Sequence, residues 1–200
     1  MVVILLHVQS IIYEILQKTT KEMRPFRILL TTLTLTICTF FAPLHAQEGI
    51  NWQQIQQAEI LAKKLHRKVV IQIYTQWSEG FKELERSVMG QPQIVKYLND
   101  NFVTIKFDAE TKDDVSFQDR NYKYVTQSGV GFHELAAELL RGQMSYPTFV
   151  FLDENGNLIQ TIQYRTPEHF EMIITYFGSD NHKKMPWKKY EKVFLPLKAR

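Results

Sequence analysis

Strongly hydrophobic runs alternate along the chain with segments whose apolar residues recur at the spacing of a helix. The β-branched and aromatic runs predict strands at residues 69–74, 102–107, 148–152 and 158–164. Helical spacing predicts helices at residues 52–65, 81–89, 92–98, 132–141 and 167–177. Polar turn residues at 153–157 join the last two strands as a hairpin. Helices and strands that alternate in this way, and end in a hairpin and a helix, predict a three-layer α/β domain.

The connection after the second strand is long enough to carry structure of its own. Residues 115–117 and 122–125 are rich in aromatic and β-branched side chains and flank a short polar turn, a pattern that predicts a β-hairpin. Gly129 and Gly131 then lead into the next predicted helix. The domain is therefore predicted to carry a hairpin insertion before its third strand.

The N-terminal part of the chain has the pattern of a targeting segment. Residues 23–27 are a short basic start, residues 28–43 carry no charge, and the pattern ends at the small residue Ala46. This order is typical of a secretory signal peptide, residues 23–46, and predicts a periplasmic or secreted protein. The uncharged run is shorter than the roughly 20 residues of a membrane helix, which favours cleavage over a permanent anchor. Residues 1–22 are interpreted as an extension from a start codon assigned too early, with a long n-region of the signal peptide or a second membrane segment as alternatives.

We expect the exported protein to begin at Gln47, because cleavage after Ala46 removes the whole signal pattern. Intact-mass spectrometry of the secreted product checks this expectation, and a product that retains residues 28–46 would contradict it. The mature chain is then predicted to consist of one domain, residues 47–180, and a basic C-terminal segment, residues 181–200.

The composition suits a globular domain and argues against nucleic acid as a partner. Hydrophobic residues make up 44% of the chain and charged residues 22%, which is enough apolar material for a packed core. Without residues 1–46 the chain has 20 basic and 19 acidic residues. That balance gives no reason to expect nucleic acid as a partner. The single cysteine, Cys38, lies inside the predicted signal peptide, so the mature chain has no thiol.

No metal site and no cofactor are predicted. Three histidines are scattered along the chain without a pair at ligand spacing: His66, His169 and His182. His133 and Glu134 begin like the zinc-protease motif, but the second histidine of that motif is replaced by Ala137. His133 is therefore interpreted as a helix-start residue or a local hydrogen-bond partner.

Two segments resemble the landmarks of the thioredoxin family. In residues 69–82 a hydrophobic strand leads to Trp77 at the start of a helix, where thioredoxins place Trp-Cys-x-x-Cys-Lys. In residues 145–153, Pro147 opens a strand that runs into a hairpin, as the cis-proline of thioredoxins does. The resemblance covers about residues 51–177 and is closest to bacterial exported proteins of the family. It implies a thioredoxin-like three-layer sandwich with a hairpin insertion before a cis-proline, Pro147.

The resemblance fails at the residues that carry thiol chemistry. Ser78 and Phe81 occupy the two cysteine positions, and Gln72 replaces the buried carboxylate that helps the resolving thiol of thioredoxins lose its proton. Dithiol exchange needs an attacking thiolate and a second thiol, so no catalytic residue is predicted and the protein is not expected to be an enzyme. Ser78 is interpreted as a helix N-cap, with a nucleophilic role as the alternative.

The resemblance also implies a binding surface that outlasts the loss of the cysteines. In thioredoxin folds the backbone beside the cis-proline pairs with an extended peptide like an added strand. Trp77, Ser78, Tyr146 and Pro147 occupy that surface here, and the backbone N–H and C=O of Tyr146 are expected to be free to pair. The predicted function is a non-catalytic accessory module for a peptide or protein client. One alternative is that Trp77 simply fills the site and Pro147 is a structural relic. The other is that the protein takes part in a disulfide reductase or isomerase pathway.

The C-terminal segment is basic and amphipathic. Trp187, Tyr190 and Phe194 recur on one helical face. Five lysines of this segment would supply a contact with a membrane surface: Lys183, Lys184, Lys188, Lys189 and Lys192. We interpret the segment as folded onto the domain with its lysines in solvent, and docking on an anionic membrane or an acidic partner is the alternative. The oligomeric state is left open.

Overall fold

A computed structural model describes residues 49–199 of the chain. The predicted extension, residues 1–22, the predicted signal peptide, residues 23–46, and Cys38 lie outside the described residues. The strands are β1 Trp52–Gln53, β2 Lys68–Tyr74, β3 Phe102–Asp108, β4 Val115–Phe117, β5 Arg120–Tyr122, β6 Tyr124–Gln127, β7 Val130–His133, β8 Thr148–Leu152 and β9 Leu158–Gln163. The α-helices are α1 Ala58–Leu65, α2 Glu79–Ser87, α3 Pro92–Asn101, α4 Glu134–Leu139, α5 Pro167–Gly178, α6 Asn181–Lys184 and α7 Trp187–Val193.

A mixed sheet of five strands in the order β1-β3-β2-β8-β9 forms the centre of the fold. β2 runs parallel to β3, with Gln72 opposite Lys106. On its other side β2 runs antiparallel to β8, with Gln72 opposite Phe149. β2 therefore lies between β3 and β8 in the sheet, and it is buried along nearly its whole length.

Side chains alternate across β2 and divide the core into two parts. Val69, Ile71 and Ile73 pack with α1 and α4 on one face of the sheet. Val70 packs with α2, α3 and α5 on the opposite face. Helices on both faces of one sheet give three layers, so the predicted α/β sandwich is confirmed.

The first helix starts later than the sequence pattern predicts. Trp52 and Gln53 form β1, which pairs in parallel with Thr104 and Ile105 of β3. The chain then passes through a 3₁₀ turn at Ile55–Gln57, and α1 begins only at Ala58. The prediction of a helix from residue 52 is wrong because the edge of β3 offers the Trp52 backbone a sheet partner.

The long connection holds two hairpins where the sequence pattern predicts one. β4 pairs with β5 around Gln118 and Asp119, whose positive φ angles of 51° and 56° make a tight two-residue turn. The first turn therefore comes earlier than predicted, and of residues 122–125 only Tyr122 belongs to the second strand of that hairpin. β6 pairs with β7, so Gly129 and Gly131 lie in the second hairpin rather than at the entrance of a helix. Helix α4 accordingly covers fewer residues than the predicted helix at 132–141.

The C-terminal segment folds onto the domain through its aromatic face, as interpreted from the sequence. Tyr190 is buried, and its hydroxyl donates a hydrogen bond of 2.9 Å to the Thr175 hydroxyl of α5. Trp187 packs edge-to-face on Tyr176 with ring centroids 5.1 Å apart. The five lysines named above are exposed. Within residues 49–199, every helix is too short or too polar to cross a membrane.

Candidate functional site

The start of α2 lies against the residues that precede β8. Ser78 is the N-cap of α2, because its Oγ accepts a hydrogen bond of 3.3 Å from the Phe81 N–H. The same Oγ donates a hydrogen bond of 2.9 Å to the carbonyl oxygen of Tyr146. The peptide bond between Tyr146 and Pro147 is cis. The predicted helix cap and the predicted cis bond are both confirmed.

Ser78 has the contacts of a structural residue. It is only 5% exposed, and among the described residues its Oγ bonds to two backbone groups and to no basic side chain. A serine without an adjacent base is not activated as a nucleophile. The expectation that the Tyr146 carbonyl is free for a ligand is wrong in part, because Ser78 occupies one of its two lone pairs.

Gly80 belongs to this site although no sequence pattern pointed to it. A Cβ at position 80 would lie 3.1 Å from Cδ of Pro147, which is closer than a comfortable carbon–carbon contact. Glycine therefore permits the close approach of α2 to Pro147 that brings Ser78 to the Tyr146 carbonyl. The available signal was a glycine placed immediately before the predicted helix at residues 81–89, where the chain can approach another segment closely.

Phe81 fills the second cysteine position with a buried aromatic ring. The side chain is 6% exposed and stacks on Tyr74 with the ring centroids 4.2 Å apart. The Nζ of Lys106 lies 4.9 Å from the centroid of the Phe81 ring. The position that holds a reacting thiol in thioredoxins is therefore part of the packed interior here.

A polar network lies beside Phe81 where the sequence suggested only the neutral Gln72. Gln72 is buried, and its Nε2 donates a hydrogen bond of 3.2 Å to Oε1 of Glu85. Lys106 donates to the other carboxylate oxygen of Glu85 at 2.6 Å. Helix α2 thus brings a carboxylate to the buried glutamine, and Lys106 pairs with its charge. The sequence feature that could have indicated this network is the position of Glu85, which lies one helical turn after Phe81.

Trp77 and Tyr146 form an exposed aromatic pair beside Pro147. Trp77 is 62% exposed and meets Tyr146 edge-to-face at a centroid distance of 6.0 Å. Its Nε1 donates a hydrogen bond of 3.0 Å to Glu110. The Glu110 N–H in turn donates to the Asp108 carboxylate at 2.9 Å, which orders the loop after β3. Trp77 is thus held over the surface rather than inserted into it, against the alternative of a plugged site.

The surface beside the aromatic pair is acidic. Burial raises the pKa of Tyr146 to about 12, and the carboxylates of Glu110 and Asp108 add to the rise. Neither of these carboxylates forms an ion pair within the described chain. The aromatic pair therefore stands next to two carboxylates that have no ion-pair partner among the described residues.

Substitution Ser78→Ala is expected to lower the free energy of unfolding by about 1–2 kcal/mol, because the helix cap and the bond to Tyr146 are both lost. Urea denaturation followed by circular dichroism measures the change. Ser87→Ala is the matched control, since Ser87 is exposed on the same helix and, within the described chain, its hydroxyl bonds only to a carbonyl one turn earlier. A control loss as large as that of Ser78→Ala would contradict the assigned role.

The structure tests the local role predicted for His133 and shows the surroundings of the other three histidines. His133 is the N-cap of α4, and its Nδ1 accepts a hydrogen bond of 3.2 Å from the Leu135 N–H, which confirms the local role. The other three, His66, His169 and His182, do not gather with further ligands. Residues 49–199 hold no group of three or more side chains able to ligate a metal.

A strand-to-helix junction capped against a cis-proline, in a mixed sheet with helices on both faces, defines the class of thioredoxin-fold proteins. The thioredoxin-like domain family matches residues 55–178, and the chain belongs to that family. A comparison with curated proteins found no match.

Solved structures with the same fold resemble the chain only distantly. A thioredoxin-fold protein from Helicobacter pylori has 14% sequence identity and a TM-score of 0.49, covering 66% of this chain and 81% of that chain. A DsbH oxidoreductase has 12% identity and a TM-score of 0.49, covering 68% of this chain and 89% of that chain. A thioredoxin from Thermus thermophilus has 17% identity and a TM-score of 0.48, covering 65% and 88%. Similarity at this level says nothing about activity.

Proposed function

We propose that the protein is a non-catalytic member of the thioredoxin-like family that binds an extended segment of a peptide or client protein. The observation that carries this proposal is the aromatic pair, in which Trp77 is fixed in an exposed position beside Tyr146 and Pro147. Tryptophan and tyrosine are prominent among the residues that dominate binding energy at interfaces. Thiol chemistry has no support at the same surface, because Ser78 and Phe81 stand at the cysteine positions.

The backbone of Tyr146 supports pairing with an extended ligand. Within the described chain its N–H donates no hydrogen bond, and Ser78 takes one of the two lone pairs of its carbonyl. A ligand strand would accept a hydrogen bond from the Tyr146 N–H, as in strand addition at an exposed backbone. In this proposal Ser78 holds the backbone in place and does not react.

The charge near the aromatic pair favours a basic ligand. Asp108 and Glu110 lie within electrostatic reach of Tyr146 and have no cationic partner within residues 49–199. A lysine or arginine of the ligand would be attracted to these carboxylates and to the face of Trp77. The proposed ligand is therefore an extended segment with basic side chains.

We also propose that the protein acts in the periplasm or outside the cell, which the pattern of residues 23–46 supports. The exposed lysines of the C-terminal segment support a second, weaker contact with an anionic membrane surface. Because the domain covers Trp187 and Tyr190, this contact would be electrostatic and would weaken at high salt.

The proposal is tested with a short peptide of alternating lysine and valine, whose binding is measured by isothermal titration calorimetry. Trp77→Ala is expected to weaken binding by about thirtyfold, the effect of removing an aromatic hot spot. Ile60→Ala is the matched control, since Ile60 is 68% exposed on α1 and lies outside the aromatic pair.

A peptide of alternating glutamate and valine tests the charge preference with the same extended shape. It is expected to bind more weakly than the lysine peptide, because it meets the carboxylates of Asp108 and Glu110. Equal affinity of the wild type and Trp77→Ala for the lysine peptide would contradict the proposed function.

A further inference from the structure

A cavity of about 580 Å³ lies between β9, α5 and the C-terminal segment. Ile159 and Ile162 of the edge strand β9 form one wall, and Ile173 of α5 forms another. Trp187 closes the third side by packing edge-to-face on Tyr176. The volume is within the range of roughly 300–1,000 Å³ that is typical of sites for small molecules.

The walls of this cavity are mainly apolar and aromatic, with a few polar groups. His169 and Ile173 lie one turn apart on the face of α5 that also carries Tyr176. The His169 ring meets the Trp187 ring edge-to-face with centroids 5.9 Å apart. Within the described chain, the Nδ1 atoms of His169 and His182 are covered and have no hydrogen-bond partner. The cavity thus combines aromatic walls with two nearby imidazole nitrogens that have no hydrogen-bond partner among the described residues.

Arg165 supplies the permanent positive charge of the cavity wall. It lies two residues after the end of β9, lines the cavity, and forms no ion pair within residues 49–199. Burial lowers the pKa of His169 and of His182, and Arg165 lowers that of His169 further, so the surroundings favour the neutral form of both rings. The Glu191 carboxylate accepts a hydrogen bond from the Trp187 indole and lies within electrostatic reach of His169.

We propose that this cavity is a binding site for a small aromatic anion. The aromatic body would lie between Trp187 and the isoleucines of β9, and the anionic group would pair with the Arg165 guanidinium, which favours carboxylates and sulfonates geometrically. The site is independent of the aromatic pair Trp77 and Tyr146, because none of the cavity residues belongs to that surface.

Two dyes that share one ring system test this proposal by fluorescence titration of the purified protein. They are 8-anilinonaphthalene-1-sulfonate and N-phenyl-1-naphthylamine, which lacks the sulfonate. Arg165→Gln is expected to weaken binding of the sulfonate dye by about tenfold and to leave the neutral dye within about twofold. Lys188→Gln, which removes an exposed charge of α7, is the matched control and is expected to change neither affinity.

Variants that fill the cavity complete the test. Ile173→Trp is expected to abolish binding of both dyes, and Ile159→Trp, on the half-buried edge strand, does the same with less risk to folding. Trp77→Ala is expected to leave both dye affinities unchanged, which separates this site from the proposed peptide surface. The proposal is overturned if the wild type binds neither dye. It is also overturned if Lys188→Gln weakens the sulfonate dye as much as Arg165→Gln, or if the filled variants still bind.

Discussion

The double substitution Ser78→Cys and Phe81→Cys is expected to lower the free energy of unfolding by about 3 kcal/mol and to give only slow reduction of insulin. Most of the loss comes from position 81, where a buried ring stacked on Tyr74 is replaced by a much smaller side chain. The new thiol would lie beside Gln72 and an ion-paired Glu85, and neither is a free base for its deprotonation. Urea denaturation and insulin turbidity measure the two effects.

Single substitutions separate the two contributions. Ser78→Cys alone is expected to change stability much less than Phe81→Cys, since serine and cysteine are nearly the same size. The parent protein with Cys38→Ser has no thiol and is expected to reduce no insulin, because dithiol exchange needs a thiolate. A reproducible reductase rate in that cysteine-free protein would refute the assignment of a non-redox role.

Tyr190→Ala is expected to lower the free energy of unfolding by about 3 kcal/mol and to expose the C-terminal segment to trypsin. Tyr190 is buried against α5, where its ring lies 5.0 Å from that of Tyr176 and its hydroxyl bonds to Thr175. Without this ring, the lysine-rich segment loses its main anchor. Thermal or urea unfolding and timed proteolysis measure the two consequences.

Two further variants act as controls for this anchor. Val193→Ala, in the same helix but 57% exposed, is expected to change stability by no more than about 0.5 kcal/mol. Tyr190→Phe keeps the ring and removes the hydroxyl, so a loss of about 1 kcal/mol is expected. If Tyr190→Ala were no more sensitive to trypsin than Val193→Ala, the docked arrangement would be contradicted.

The central strands could be predicted because burial on both faces of the sheet requires a recognisable hydrophobic pattern in the sequence. β2 is covered by helices on both faces, so its residues form an almost continuous hydrophobic run. β1 has no such hydrophobic pattern, because it is only two residues long and depends on pairing with β3, which lies far along the chain. The turn at Gln118 and Asp119 was placed too late along the chain, since neither residue is a glycine although both have positive φ.

In the candidate site, too, the local contacts could be predicted from the sequence and the distant contacts could not. The cap formed by Ser78 spans three residues and follows from the sequence preference for serine at helix starts. Its bond to Tyr146 joins residues 68 positions apart, so only the folded chain reveals that the carbonyl is already occupied. The Glu85 carboxylate was missed for the same reason, because it reaches Gln72 and Lys106 only when α2 packs on the sheet.

The most direct test of the proposed peptide surface is a titration of isotope-labelled protein with the lysine–valine peptide, followed by nuclear magnetic resonance. The largest shift changes are expected at the Trp77 indole N–H and at the backbone amides of Tyr146 and Gly80, with smaller changes elsewhere. The same titration of Trp77→Ala is expected to show little change. Shift changes confined to residues outside this surface, or none at all, would contradict the proposed peptide surface.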